Sequence, residues 1–190
     1  MIEYLWPTPV AKFKMPDDQR DRFTNKLLLD YDLFNAPSDF GSINIFDNPS
    51  DEIQDFREKV VVPEFNNYLK QTLDKSLDDW SGYRFKAWIA GYNQDYSLAY
   101  HNHRGSQISA VFYLLCEDAQ MGGKISFTDP RHNSNRGYDE NFIPWFKDLS
   151  FIPQSGDAVI FPSFLYHFVS TYQGNIRLAL PIDLFLYNNS

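Results

Sequence analysis

The stretch LAYHNHRGSQISAVFYLLC, residues 98–116, decides the fold: two β-branched and aromatic runs, 98–103 and 108–116, are joined by a short polar turn. Working outward, further short runs of the same kind cover 84–91, 124–128, 149–152, 158–161, 167–172 and 176–187. Turn residues separate them, among them Gly122-Gly123, Ser155-Gly156-Asp157 and Gln173-Gly174-Asn175. About eight short strands point to a sandwich or jelly roll. Upstream the period changes. Residues 17–34 carry Phe23, Leu27, Leu28 and Tyr31 at helical spacing. A second helix is expected to start at Asn48-Pro49-Ser50, with Asp51 and Glu52 in its first turn, where the helix dipole favours acids. Its apolar stripe runs Ile53, Phe56, Val60, Phe65, Leu69, Leu73 and Leu77, and Pro63 should kink or divide it. Trp6-Pro7-Thr8-Pro9-Val10 suits an edge strand, since proline cannot donate to a central ladder. The expectation is therefore a mainly β chain with N-terminal helices packed on one face. A helical support region over 1–80 and a β core over 83–188 are joined in a single domain, 1–190, without repeat or linker. Residues 132–147, rich in Asn, Ser, Gly and Tyr, read as a long loop, either a lid or binding loop or a disordered segment.

A net charge of -8 weighs against nucleic acid as a partner, because such binding leans on Lys and Arg. Mean hydropathy of -0.44, with no apolar run near the length of a bilayer span, weighs against a membrane. The N-terminus shows no signal-peptide pattern, and the lone Cys116, set in an apolar strand, reads as an inert thiol in a reducing compartment. Together these features lead us to expect a cytoplasmic protein. Aromatic residues make up 17% of the chain, enough to fill a core and to line a ligand pocket.

Three of the four histidines carry the chemistry: His101 and His103 stand two apart, and His167 lies further on, followed ten residues later by Arg177. Residues i and i+2 of a strand share a face, so a strand over 98–103 offers two imidazoles to one metal ion. A third imidazole from a distant strand would complete one face of an octahedron. The opposite face is then open to a chelating co-substrate and O2, as in non-haem Fe(II) oxygenases. His132, inside the long loop, reads as a surface residue.

Several motifs in combination carry a resemblance. They are Tyr92 ahead of His101 and His103, the run Ile108-Ser109-Ala110-Val111-Phe112-Tyr113-Leu114, Gly123 with Ile125, Phe127 and Asp129-Pro130-Arg131, Gly156-Asp157 with Phe161-Pro162 and His167, and Arg177. With the opening Trp6-Pro7-Thr8-Pro9, they make nearly the whole chain resemble the small 2-oxoglutarate/Fe(II)-dependent oxygenases of bacteria and tailed phages. The resemblance implies a double-stranded β-helix, a cupin-like jelly roll. It also implies Fe(II), 2-oxoglutarate and O2 as cofactor and co-substrates, and a dioxygenase that hydroxylates a small molecule or a peptide or protein side chain. His101 and His167 match the first and distal metal ligands, and Arg177 matches the arginine on the far carboxylate of 2-oxoglutarate. A planar guanidinium fork suits that task. Tyr113 matches a tyrosine that shares the same carboxylate. Asp129 and Arg131 are candidates for the substrate side, although an Asp before Pro also makes a turn.

Two departures from the wider superfamily stand out. His103 occupies a slot where Asp or Glu is usual, which makes the metal centre one unit more positive. His103 could ligate directly, it could stand back and leave water or another anion bound, or Asp129 could swing in. Ala179 stands two residues after Arg177 where a serine is common, and Ser109, Tyr92 or Tyr113 could replace the lost hydroxyl. Two alternatives remain at this level: a cupin-type three-histidine metal enzyme that does not use 2-oxoglutarate, and a non-catalytic β-roll binding module.

Overall fold

The protein is described by a computed structural model that covers residues 8–33, 43–117, 121–131 and 149–188. In chain order the elements are β1 (Ala11–Lys14), α1 (Asp17–Asp30), α2 (Asp51–Phe56), α3 (Val62–Leu73), β2 (Gly82–Ala87), β3 (Ala90–Tyr92), β4 (Leu98–His101), β5 (Ile108–Cys116), β6 (Ile125–Phe127), β7 (Leu149–Phe151), β8 (Asp157–Pro162), β9 (His167–Val169) and β10 (Arg177–Tyr187). A six-stranded antiparallel sheet runs β1-β8-β5-β10-β2, with β3 also on β10, and a four-stranded antiparallel sheet runs β4-β9-β6-β7.

Both faces of the larger sheet are buried, and the period of two decides what each face meets. Leu178, Leu180, Ile182 and Leu184 of β10, with Ala110, Phe112 and Leu114 of β5, pack against Phe23, Leu27, Phe56 and Phe65 of the helices. Phe23 stacks on Phe56 at 4.0 Å, and Phe56 meets Phe112 edge-on at 5.9 Å. Each such side chain contributes about 1.5–3 kcal/mol on burial. The alternate residues, Val111, Tyr113, Val159, Phe161 and Ala179, face the smaller sheet, where Ile125 and Phe127 meet them.

Some expected boundaries shift, each for a local reason. The run over 84–91 is split into β2 and β3 at Trp88-Ile89, opposite Pro181. The Trp88 amide donates to the Pro181 carbonyl at 3.1 Å, so Pro181 turns toward that neighbour the side on which it has no N–H. The second helix starts as expected, with Ser50 accepting from the Ile53 amide. It is divided ahead of Pro63 by a π-helical turn, Arg57–Val61, in which the Val62 amide reaches Arg57 O. The edge strand falls at β1, just beyond Pro9, while residues 1–7 lie outside the described residues. The 132–147 loop, including His132, also lies outside them. No helix among the described residues is long and apolar enough to cross a membrane.

Candidate active site

The smaller sheet sets two of the three histidines. His101, the last residue of β4, is the register partner of His167, the first of β9, and their ring centroids are 4.2 Å apart. His103 does not reach them as an i+2 neighbour in a strand, because β4 ends at His101. It comes from the turn beyond, tied by its amide to Ser163 O at 3.0 Å, and its ring lies 5.4 Å from that of His101 and 5.2 Å from that of His167. One ring nitrogen from each of the three lies within 4.8 Å of the others, a group able to hold a metal ion.

Their hydrogen bonds fix which nitrogen is free. His101 Nδ1 lies 2.7 Å from Ala99 O and His167 Nδ1 lies 3.0 Å from Leu165 O. A carbonyl oxygen can only accept, so both Nδ1 atoms carry the proton and both Nε2 atoms keep a lone pair. His103 Nδ1 donates in the same way to Asp183 Oδ1 at 2.6 Å. Burial pushes the His167 imidazolium pKa down to about 3 and also lowers that of His101. Neutral imidazoles with free Nε2 atoms are the form a divalent ion requires, so the donor set fits Fe(II).

The same cavity, about 320 Å³ in volume, runs from the three histidines to Arg177 and Tyr113 and is lined along the way by Trp88, Val111 and Ile125. Arg177 opens β10 and is only 1% exposed. Its guanidinium sits among the rings of Tyr113, Tyr92 and Tyr172 at 4.9, 5.7 and 6.0 Å. Nη1 donates to Gly123 O, while Nε and Nη2 are buried with no partner, as is the Tyr113 hydroxyl beside them. No carboxylate pairs with Arg177 among the described residues. Burial pushes the Tyr113 phenol well above its usual range, outweighing the opposing pull of Arg177, so it stays a donor. Tyr113 faces inward by the same alternation as Val111, and the register shift between Leu178 and Ala179 of β10, facing Leu115 and Tyr113 of β5, follows directly after it.

Three expected site residues lie elsewhere. Ser109 does not line the cavity; its hydroxyl donates to Asp183 Oδ1 at 2.7 Å and meets Ser163 Oγ at 2.8 Å. Asp129 does not swing toward the histidines. It accepts from the Arg131 amide and Nε, both at 2.9 Å, and makes the turn that its place before Pro130 allows. Arg131 is thereby held on Asp129, and neither residue lines the cavity. Tyr92 is brought to Arg177 by its ring. Asp183, a buried acid that the sequence reading passed over, lies in the cavity wall against His103.

A family model described as "Putative 2OG-Fe(II) oxygenase" matches residues 86–183, and the chain belongs to this family. It is a 2-oxoglutarate- and Fe(II)-dependent oxygenase, an oxidoreductase, and the cupin-type and non-catalytic alternatives are set aside. A search of curated proteins finds no match. Among solved structures, a Pseudomonas putida prolyl-4-hydroxylase is similar at TM-score 0.64 and 16% identity, over 95% of this chain and 93% of that one. A viral collagen prolyl hydroxylase from Paramecium Bursaria Chlorella virus-1, in complex with 2OG, follows at 0.60 and 15%, over 95% and 96%. A Trichoplax adhaerens prolyl hydroxylase in complex with a hypoxia inducible factor peptide fragment gives 0.62 and 15%, over 93% and 83%. These likenesses establish the double-stranded β-helix fold.

Proposed function

We propose that His101, His103 and His167 hold the Fe(II), and that Arg177 and Tyr113 take the far carboxylate of 2-oxoglutarate. The chain would then hydroxylate a C–H bond in a small molecule or in a peptide or protein side chain. What carries the reading is one cavity with two matched ends: three imidazoles with Nε2 free, and a buried cation whose Nε and Nη2, with the Tyr113 hydroxyl, lack partners. A buried unpaired charge is costly, and a carboxylate that pairs with it offsets part of that cost. Tyr92 and Tyr172 wall the guanidinium with ring faces, which hold it in place where Ala179 offers no hydroxyl.

When bound, the iron and 2-oxoglutarate supply the oxidising chemistry with O2, and 2-oxoglutarate leaves as succinate and CO2. This chain's own residues position and exclude. The guanidinium and the phenol orient the co-substrate at its far end, and Val111, Ile125 and Val169 keep the middle of the cavity apolar. A single-domain unit working in the cytoplasm completes the proposal. In support, the lone Cys116 has a thiol pKa raised to about 11 by burial, and the acidic surface disfavours nucleic acid. Succinate formation with Fe(II), 2-oxoglutarate and ascorbate tests the assignment. We expect turnover in wild-type protein and loss of it in R177M, and retention of full turnover in R177M would refute the co-substrate site.

A further inference from the structure

We infer that Asp183 is the displaced carboxylate of the metal site, a positioning residue that fixes His103 and lends it negative charge. The inference rests on the three histidines being the metal ligands. Three imidazole ligands leave the ion without a ligand charge. The structure sets one carboxylate directly behind His103, on its Nδ1 side. Asp183 Oδ1 lies 2.6 Å from His103 Nδ1, and both side chains are about nine-tenths buried, with 11% and 7% exposure.

The carboxylate is itself built in. Ser109 Oγ donates to the same Oδ1 at 2.7 Å, Ser163 and Ser109 hydroxyls meet at 2.8 Å, and Ser106 Oγ donates to Ser163 at 2.8 Å. Because Ser109 spends its proton on Asp183, it accepts from Ser163, which in turn accepts from Ser106. The row of hydroxyls therefore has one direction, ending on the carboxylate. The His103 amide on Ser163 O ties the turn to the same unit. A carboxylate that accepts the Nδ1 proton holds the ring as the tautomer with Nε2 free and raises its basicity toward a metal, and losing such a partner typically weakens binding about tenfold to hundredfold. Asp183 is not itself one of the three grouped donors, so it acts through His103.

The test is the affinity of the purified protein for Co(II), measured by calorimetry for wild type, H101A, D183N, H103D and H103D/D183N, with thermal melting as the folding control. D183N keeps an acceptor of the same shape and removes the charge. It is expected to bind Co(II) about tenfold to hundredfold more weakly at an unchanged Tm. H103D places two carboxylates in contact and should bind worse than wild type, whereas H103D/D183N, again with one carboxylate, should bind better than H103D. If D183N binds like wild type while H101A does not bind, Asp183 has no such role and the histidine ligands stand. If H101A also binds like wild type, the ligand assignment itself falls. Nitrogen-15 NMR of the metal-free wild type decides independently of any variant: His103 protonated on Nδ1 is expected, and protonation on Nε2 would overturn the inference.

Discussion

At the histidine end of the cavity every Nδ1 has an acceptor, whereas at the arginine end two guanidinium nitrogens and a phenol are buried without one. The first end is complete in its hydrogen bonds before any ion arrives, so its geometry is fixed by the fold. The second holds a charge out of water with only ring faces and one carbonyl to stabilise it, so it is finished by its ligand. Function should therefore carry little stability cost at the first end, whereas stability and function should run against each other at the second.

The largest effect expected to break this contrast is at the metal: His101→Ala should lower Co(II) affinity by about a hundredfold or more, read by calorimetry. Arg177→Met comes next. It should weaken 2-oxoglutarate binding by about thirtyfold or more while metal affinity is kept, because the far carboxylate of the co-substrate would lose its cationic partner. The same variant should raise the Tm of co-substrate-free protein by about 2–4 °C, because an unpaired buried charge is gone. A lowered Tm would show that the arginine end is satisfied without a ligand. Tyr113→Phe removes one donor to a charged group and should cost about tenfold in 2-oxoglutarate affinity. Gly123→Ala should cost about fivefold, since a Cβ there would lie 2.0 Å from Arg177 Nη1 at a φ of +66°. Both are read by anaerobic equilibrium binding.

The smallest effect concerns pH. The folded pKa of His167 is depressed to about 3 by burial, below its unfolded value, so folding prefers the neutral ring. That contribution is fully present above about pH 6.5 and is lost as pH falls through the window toward about pH 3. The Tm of metal-free protein should drop by a few degrees between about pH 7 and pH 5 in differential scanning calorimetry. An unchanged Tm would mean the ring is less enclosed than its 2% exposure indicates.

What could be read from the chain alone follows the range over which each residue acts. Strand alternation and the helix stripes are local signals, and they placed β5 at its observed bounds and Ser50 at the head of α2. His101, His167 and Arg177 could be picked out because histidine is scarce in the chain and the motifs around them are specific in combination, and the fold brings all three to one cavity. Trp88 breaking the 84–91 run was not, since its cause, Pro181, lies on another strand. Asp183 was missed for the same reason: its partners His103 and Ser109 are distant in sequence. A signal was available, because Asp183 has the parity of Arg177 along an extended strand and so must share its inward face. Ser109 was offered as a replacement for the hydroxyl missing at Ala179, but parity along β5 gives its face and not its depth, and it sits beside Asp183 rather than beside Arg177.

The most direct test is anaerobic titration of Fe(II)-loaded protein with 2-oxoglutarate, followed in the visible spectrum. A chelate held by the three histidines and anchored on Arg177 predicts a charge-transfer band that saturates in wild type, needs far more 2-oxoglutarate in R177M and is absent in H101A. Fe(II) bound with no band at any 2-oxoglutarate concentration, or the same saturation curve in wild type and R177M, would contradict a single cavity with a metal end and a carboxylate end.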